Sequence, residues 1–341
     1  MNRSRGWIVT GVALLATVAL AAGSLALGGF DPWEAMTALV SGSLGSPTAI
    51  FSITLVRAVP LILTGLAVAL AFRAGIWNIG AEGQLYAGAV AGVWVALAAP
   101  SSVPGWVLLP VILVVGGVAG AAWAAVPAAL RLRAGVGEVI TTILMNFVAI
   151  HLAAWMVHGP LQEARGVFPQ TDRISEAARL PILIPGTRLH VGFALAVILA
   201  VVLWAWLRFT ASGFGIRAVG ASPDAARVAG RIEDGPTLLR VFLASGAIAG
   251  LAGVVQVSGV TFALYEDFSP GYGYTAIAVA LLAGLKPLGV VLTGVLFGAL
   301  EGGAGAMQRE AGVPAGWVNA VEALVILSIL AADRLIRRRE A

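Results

Sequence analysis

Residues 72–89 read "FRAGIWNIGAEGQLYAGA", and this stretch decides what kind of protein the chain is. Asn78, Glu82 and Gln84 sit there among small apolar residues, between two segments that otherwise read as lipid-embedded. A Glu or an Asn at membrane depth is costly unless it faces protein or water. Such residues in one run point to a polar pathway or a buried interface. That is a property of a transporter component, not of an inert anchor.

Outward from this stretch the chain stays apolar. Hydrophobic residues make up 59% of 341 and charged residues 11%, against about 25% charge in a soluble domain. The mean hydropathy is +0.94. The apolar runs have the length of membrane helices, about 20 residues, and lack the alternation of barrel strands. Forty-three glycines suit helices that pack closely in lipid. The absence of cysteine excludes disulfides, thiol catalysis and Cys-ligated metals. The pI of about 10.1 could suggest a nucleic-acid partner, but the arginines cluster between apolar runs, as membrane topology requires. No nucleic acid is therefore expected as a partner; the bilayer is. The start "MNRSRGWIVTGVALLATVALAAG" is read as an uncleaved first span, with a cleaved signal as the alternative.

Ten apolar segments can be placed, at 7–28, 49–72, 76–98, 106–130, 136–157, 190–207, 240–260, 273–285, 288–306 and 315–333. Threading them from a cytoplasmic N-terminus puts fifteen cations inside, five outside and Arg57 within a span. This obeys the positive-inside rule, which a flipped chain would break. The expected fold class is an all-α polytopic membrane protein of about ten transmembrane helices, with both termini cytoplasmic and one or two broken or half helices. The eighth segment is too short for a crossing, so it either begins as non-helical backbone at Pro270–Gly273 or is a half-helix. Irregular backbone at that depth must be buried in protein or line a cavity, and the same holds around Gly75 and Gly80. Residues 1–341 are read as a single transmembrane domain. An extracytoplasmic loop at 159–189 caps the outer mouth, and a short interfacial helix lies around Pro32–Val40. A cytoplasmic loop spans 208–240.

Asn78 and Glu82 are one helical turn apart and share a face, with Gln84 close by. They either line a translocation path or satisfy backbone groups freed where Gly80 and Gly83 let a neighbouring helix approach. Glu138, Thr142 and Asn146 follow an i, i+4, i+8 stripe that faces the bundle interior; helix–helix hydrogen bonding also explains Thr and Asn. Arg57 either snorkels outward or meets a polar group. Glu301, Asn319 and Glu322 are candidates for interhelical pairs. His151, His158 and His190 lack metal-ligand spacing, and His190 is read as interfacial. No phosphate loop and no nucleophile elbow is present, so no catalytic role is assigned to any residue. The energy source must be an ion gradient or another subunit.

The inner loop carries "GASPDAARVAGRIEDGP" at 220–236. Ser222 reads as an N-cap, Pro223 as the first helical position, Asp224 as a first-turn acid and Gly230 as the stop. Ala225, Ala226, Val228 and Ala229 would give a small apolar contact, with Asp224, Arg227 and Arg231 at its rim. Such a helix either docks into a groove on an ATPase or lies on the headgroups.

Four stretches carry a resemblance: "PLILTGLAVALAFRAGIWNIGAEGQLYAGA", "AGVGEVITTILMNFVAIHLAAWMV", "GIRAVGASPDAARVAG" and "GYGYTAIAVALLAGLKPLGVVLTGVLFGAL". The chain resembles the inner-membrane permeases of bacterial ABC importers, in the branched-chain amino acid, ribose and simple-sugar superfamily. "NIGAEGQ" together with "GEVITTILMNFVA" is similar to its nucleoside branch. The resemblance implies a second related permease, ABC ATPase subunits beneath, and an extracytoplasmic substrate-binding lipoprotein that delivers nucleoside. It makes Ser222–Gly230 the element coupling to the ATPase and gives the outer loops to the binding protein. It implies alternating access without chemistry on the cargo and without a cofactor. Asn78, Glu82, Gln84, Thr142 and Asn146 become the candidates for the substrate pathway. The charged "RIEDGP" that follows departs from the family pattern. Ribose, another simple sugar or a branched-chain amino acid are the alternative cargoes, and an ion-coupled secondary transporter is the alternative class.

Overall fold

The computed structural model describes residues 19–228 and 234–314, with Trp317, Ala320, Ala323, Leu324 and Leu327 beyond them. Most of the expected first and last spans, Ala229, Gly230, Arg231, Asn319 and Glu322 lie outside the described residues.

Among the described residues every regular element is a helix. After helical residues 19–27 come α1 (Pro32–Leu44), α2 (Ala49–Arg73, opening with a π-turn), α3 (Ala81–Ala98), α4 (Gly105–Ala134) and α5 (Glu138–His158). Then follow α6 (Gly192–Phe209), α7 (Ala211–Ala221), α8 (Pro223–Val228), α9 (Asp234–Gln256, continued by a π-turn Val257–Thr261), α10 (Tyr272–Leu282) and α11 (Pro287–Glu310). Six helices are long and apolar enough to cross a membrane: α2, α4, α5, α6, α9 with its π-turn, and α11. The chain is thus an all-helical, multi-pass membrane protein. At 11 residues α10 is too short to cross a bilayer as a helix, and it follows non-helical backbone that ends at Gly271.

The chain divides into two compact units. One comprises Val59–Pro185 and Leu189–Gly294. Its centre is α9 packed on α3 and α4, and glycines make the seam. A Cβ on Gly88 would run into the backbone of Gly250, and one on Gly120 into Gly246 and Gly250. Each helix presents glycines four residues apart: Gly88 and Gly92, Gly116 and Gly120, Gly246 and Gly250. Lipid tails are as apolar as leucine, so association there relies on dispersion between closely approaching backbones, and small residues permit that approach.

The other unit holds the described parts of Met1–Ala58 and Val295–Ala341, with Gly186–Arg188. In it α1 begins where Asp31 caps the N–H groups of Trp33 at 2.8 Å and Glu34 at 3.3 Å, with Pro32 in the first turn. Ala35 and Ala38 are buried with Ala21, Leu25, Met307 and Val313, while Trp33 is exposed, as an interfacial anchor would be. The helix expected around Pro32–Val40 is therefore present and runs on to Leu44. Arg57 lies 3.9 Å from Glu301 with 42% of its side chain exposed. So long and wet a pair contributes little.

Candidate functional site

From Gly75 to Gly80, between α2 and α3, the backbone is not helical. Its polar groups have no ladder of their own, and at membrane depth they must find partners in protein. The side chains singled out by the sequence supply many of them. Asn146, fully buried in α5, donates to the Ile79 carbonyl at 2.9 Å and accepts from the Gly83 N–H at 2.8 Å. One turn earlier Thr142 accepts from the Ile79 N–H at 3.3 Å. At the start of α5, Glu138 accepts from the Trp77 N–H at 3.3 Å and pairs with Arg131 at 2.6 Å.

Asn78, with no exposed surface, uses its whole amide. Its Oδ1 accepts from the Gly80 N–H and from Gln84 Nε2, at 3.0 and 3.1 Å. Its Nδ2 donates to Gln84 Oε1 at 3.2 Å and to Ser245 Oγ at 2.9 Å. Ser245 Oγ donates in turn to the Ala67 carbonyl at 2.8 Å. Asn78 and Gln84 thus form a two-bond amide pair that ties the broken segment to α3, α9 and α2.

Glu82, in the first turn of α3, is 1% exposed. It accepts from the N–H of Gly273 at 2.5 Å, in the first turn of α10. The Ser269 hydroxyl bonds the same carboxylate and accepts from the Gly271 and Tyr272 N–H groups at 3.3 and 3.2 Å. Two helix N-termini therefore meet at one acidic side chain, the arrangement their dipoles favour. Glycine makes this possible at two places. Gly271 has φ 98°, where other residues are strained, and a Cβ on Gly273 would overlap the backbone of Glu82. Tyr86 packs edge-on against Phe268 at 4.7 Å beside the junction.

The loop at 159–189 is joined to the segment that leads into α10. The N–H groups of Thr171, Ile174 and Leu180 donate to the carbonyls of Leu264, Phe262 and Ser258, at 2.8 to 2.9 Å. Within the loop, Gln170 at 2.7 Å and the Phe168 N–H at 3.1 Å hold the Glu163 carboxyl below its usual range. His190 is 1% exposed, because Gly192 and Gly259 leave the imidazole a slot, and it accepts from the Gly192 N–H at 3.2 Å.

On the loop between α6 and α9, Ser222 caps α8 as its sequence indicates, accepting from the Ala225 N–H at 3.3 Å. Asp224, Ala225 and Val228 are exposed, Val228 by 88%. Ala226 is 4% exposed and faces inward, so the apolar contact offered outward is Ala225 and Val228. The preceding α7 touches the broken segment's entrance: Gly220 lies against the Arg73 carbonyl and beside Gly75. Ser245, Ser269 and the close approach of Gly273 had no local signal in the sequence, although "SPGYGY" marked the break itself.

A broken helix entry, a short apolar helix and a polar junction buried among apolar spans make up the site of a multi-pass membrane protein. A family model described as the permease component of a branched-chain amino acid transport system matches residues 50–330. The chain belongs to this family, and it is a transmembrane permease subunit of an ABC transporter. It is 40% identical to the glucose ABC transporter permease protein TsgB13 of Haloferax volcanii, over 98% of this chain and 90% of the relative. It is 38% identical to the guanosine ABC transporter permease protein NupP of Bacillus subtilis, over 91% and 89%. A second guanosine permease of that organism, NupQ, is 28% identical over 72% and 78%. No solved structure matches.

Proposed function

We propose that this chain is one of two unlike permease halves of a nucleoside importer in a bacterial cell membrane, with about ten spans and cytoplasmic termini. An ABC ATPase subunit supplies the energy and an extracytoplasmic lipoprotein delivers the cargo. Two guanosine permeases in one organism, one nearer to this chain than the other, support the paired arrangement. The similarity to guanosine and nucleoside permeases supports a nucleoside as the cargo.

The observation that carries the reading is the meeting of α3 and α10 at Glu82. Eleven residues rise about 16 Å, half of a hydrocarbon core of about 30 Å. With Lys286 at the inner boundary, the start of α10 reaches mid-depth, where transporters place discontinuous helices. Asn78, Glu82, Gln84, Thr142 and Asn146 then border the pathway by holding its broken backbone. Movement enters at Ser222–Gly230, passes through α7 and Gly220 to the hinge at Gly75, and shifts the segment that Asn78 and Asn146 grip. From outside, the loop at 159–189 acts on the same half-helix through its bonds to 258–264.

The test is uptake of labelled guanosine into vesicles holding this chain with its permease, ATPase and binding-protein partners. ATP-dependent uptake, competed by nucleosides rather than by glucose, ribose or leucine, is expected. Uptake by this chain alone under an ion gradient would overturn the reading in favour of a secondary transporter. Competition by glucose alone would move the cargo to a simple sugar.

A further inference from the structure

A cavity of about 320 Å³ is lined by Arg73, Arg208, Arg217 and Lys286, with Trp204 and the first turn of α11 completing its wall. No carboxylate lines it, and among the described residues none of the four cations forms an ion pair. Transport as read above uses none of these side chains.

Two of the four have an ordinary explanation. Arg73 and Arg208 stand in the last turns of α2 and α6, where a cation offsets the C-terminal dipole. The other two do not. Lys286, the only lysine of the chain, directly precedes α11, at the positive end of a helix whose first N–H groups lack intrahelical acceptors. Arg217 lies inside α7 with its Nε buried and without a hydrogen-bond partner. The turn that delivers Lys286 holds Leu285 at φ 57°, left-handed backbone that strains a residue with a side chain. Four like charges and a helix N-terminus gathered around one cavity repel one another until an anion enters.

We propose that this cavity binds a phosphate group, supplied by an anionic phospholipid headgroup or by a soluble phosphate of the cytoplasm. Guanidinium forks and helix N-termini both match phosphate oxygens, and basic pockets between membrane helices on the inner side accept anionic headgroups. The exposed Ile198, Val201 and Val202 of α6 offer an apolar face on which acyl chains can lie. A bound phosphate would pin the ends of α2 and α6 to α7 and α11, beside the hinge at Gly75. Phosphate binding does not depend on the cargo or the partners; only the inner-leaflet placement rests on the orientation proposed above.

The full chain, purified in neutral detergent, is titrated by native mass spectrometry with phosphatidylglycerol and phosphatidylcholine, and by thermal melting with inorganic phosphate. Arg217→Gln combined with Lys286→Gln should weaken phosphate-dependent binding by about ten-fold or more, as loss of charge-assisted hydrogen bonds predicts. Lys286→Arg should keep it, and so should Arg133→Gln, which removes an exposed cation off the cavity. Discrimination of phosphatidylglycerol alone identifies a lipid source, and a melting shift with inorganic phosphate identifies a soluble one. Equal binding of both probes by wild type and double variant overturns the proposal, as does an equal loss in Arg133→Gln. A change confined to ATPase binding overturns it too. Lys286 is exposed, so Lys286→Gln alone keeps the test available where the double variant does not fold.

Discussion

The two ends of α3 are held by opposite means. Its first turn is fastened by polar side chains: Glu82 to the start of α10, and Gln84 to Asn78. Farther along, the same helix is fastened by the absence of side chains, where Gly88 meets Gly250 and Gly92 meets Val254. Both solutions answer a medium that offers no water. The glycine seam depends on shape, admits one arrangement and loses contact as soon as backbones part. The polar junction depends on direction, and its amides and carboxylate can exchange one N–H for another. In this account the seam is the fixed body of the permease and the junction is the part that works.

Substitutions that attack the seam should cost most. Gly250→Val drives side-chain atoms into the Gly116 carbonyl and the Gly120 backbone, a cost at or above the 1–3 kcal/mol usual for overpacking. Little folded protein should reach the membrane, as read by size-exclusion yield, whereas Gly23→Ala, with open space around it, should leave the yield unchanged. Normal yield from Gly250→Val would dissolve the contrast.

At the junction, Asn78→Ala strands the Gly80 N–H, Gln84 and Ser245 together. Each buried group left unpaired costs about 1–3 kcal/mol, so the variant should fold but melt well below the wild type. An unchanged melting temperature would mean that water or backbone movement repairs the hub, and that Asn78 is no hub. Glu82→Gln keeps the shape, lets the amide oxygen accept from Gly273, and removes the acidic group shared by two helix N-termini. Stability should fall by only about 1 kcal/mol while uptake falls severely. Equal losses in both would make Glu82 a cap and nothing more.

The smallest effect belongs to the loop at 159–189. Hydrogen bonds from Gln170 and Phe168 hold Glu163 below the usual carboxylate range. A depressed group contributes stability above its ordinary pKa and loses it as pH falls through the depressed value. Protection of the amides over 163–172, taken relative to their intrinsic exchange rates, should therefore fall as pH drops below the usual carboxylate range. A flat profile would remove Glu163 from the account.

Much of this contrast was legible in the chain. Asn78, Glu82, Gln84, Thr142 and Asn146 stand out because polar residues within apolar runs must find partners, and the structure buries all five. Their partners were not legible. Ser245 and Gly273 lie 167 and 191 residues away from the side chains they meet, and no local periodicity links such positions. The glycines spaced by four on α3, α4 and α9 could have marked the seam, since that spacing is itself the signature of close helix approach. Ala226 faced the wrong way because a helix of 6 residues takes its facing from what it packs on rather than from its own pattern. The slot that buries His190 was not legible either, since Gly259, which helps to form it, is far off in sequence.

The claim on which the rest depends is that a partner ATPase moves this subunit through Ser222–Gly230. The chain contains no cysteine, so Val228→Cys, at the most exposed apolar position of α8, introduces a single reactive thiol. In the assembled transporter it should cross-link to the ATPase and remain closed to a membrane-impermeant maleimide added to intact cells. Labelling from outside, or transport that continues at full rate with the thiol bound to something other than the ATPase, would contradict the account.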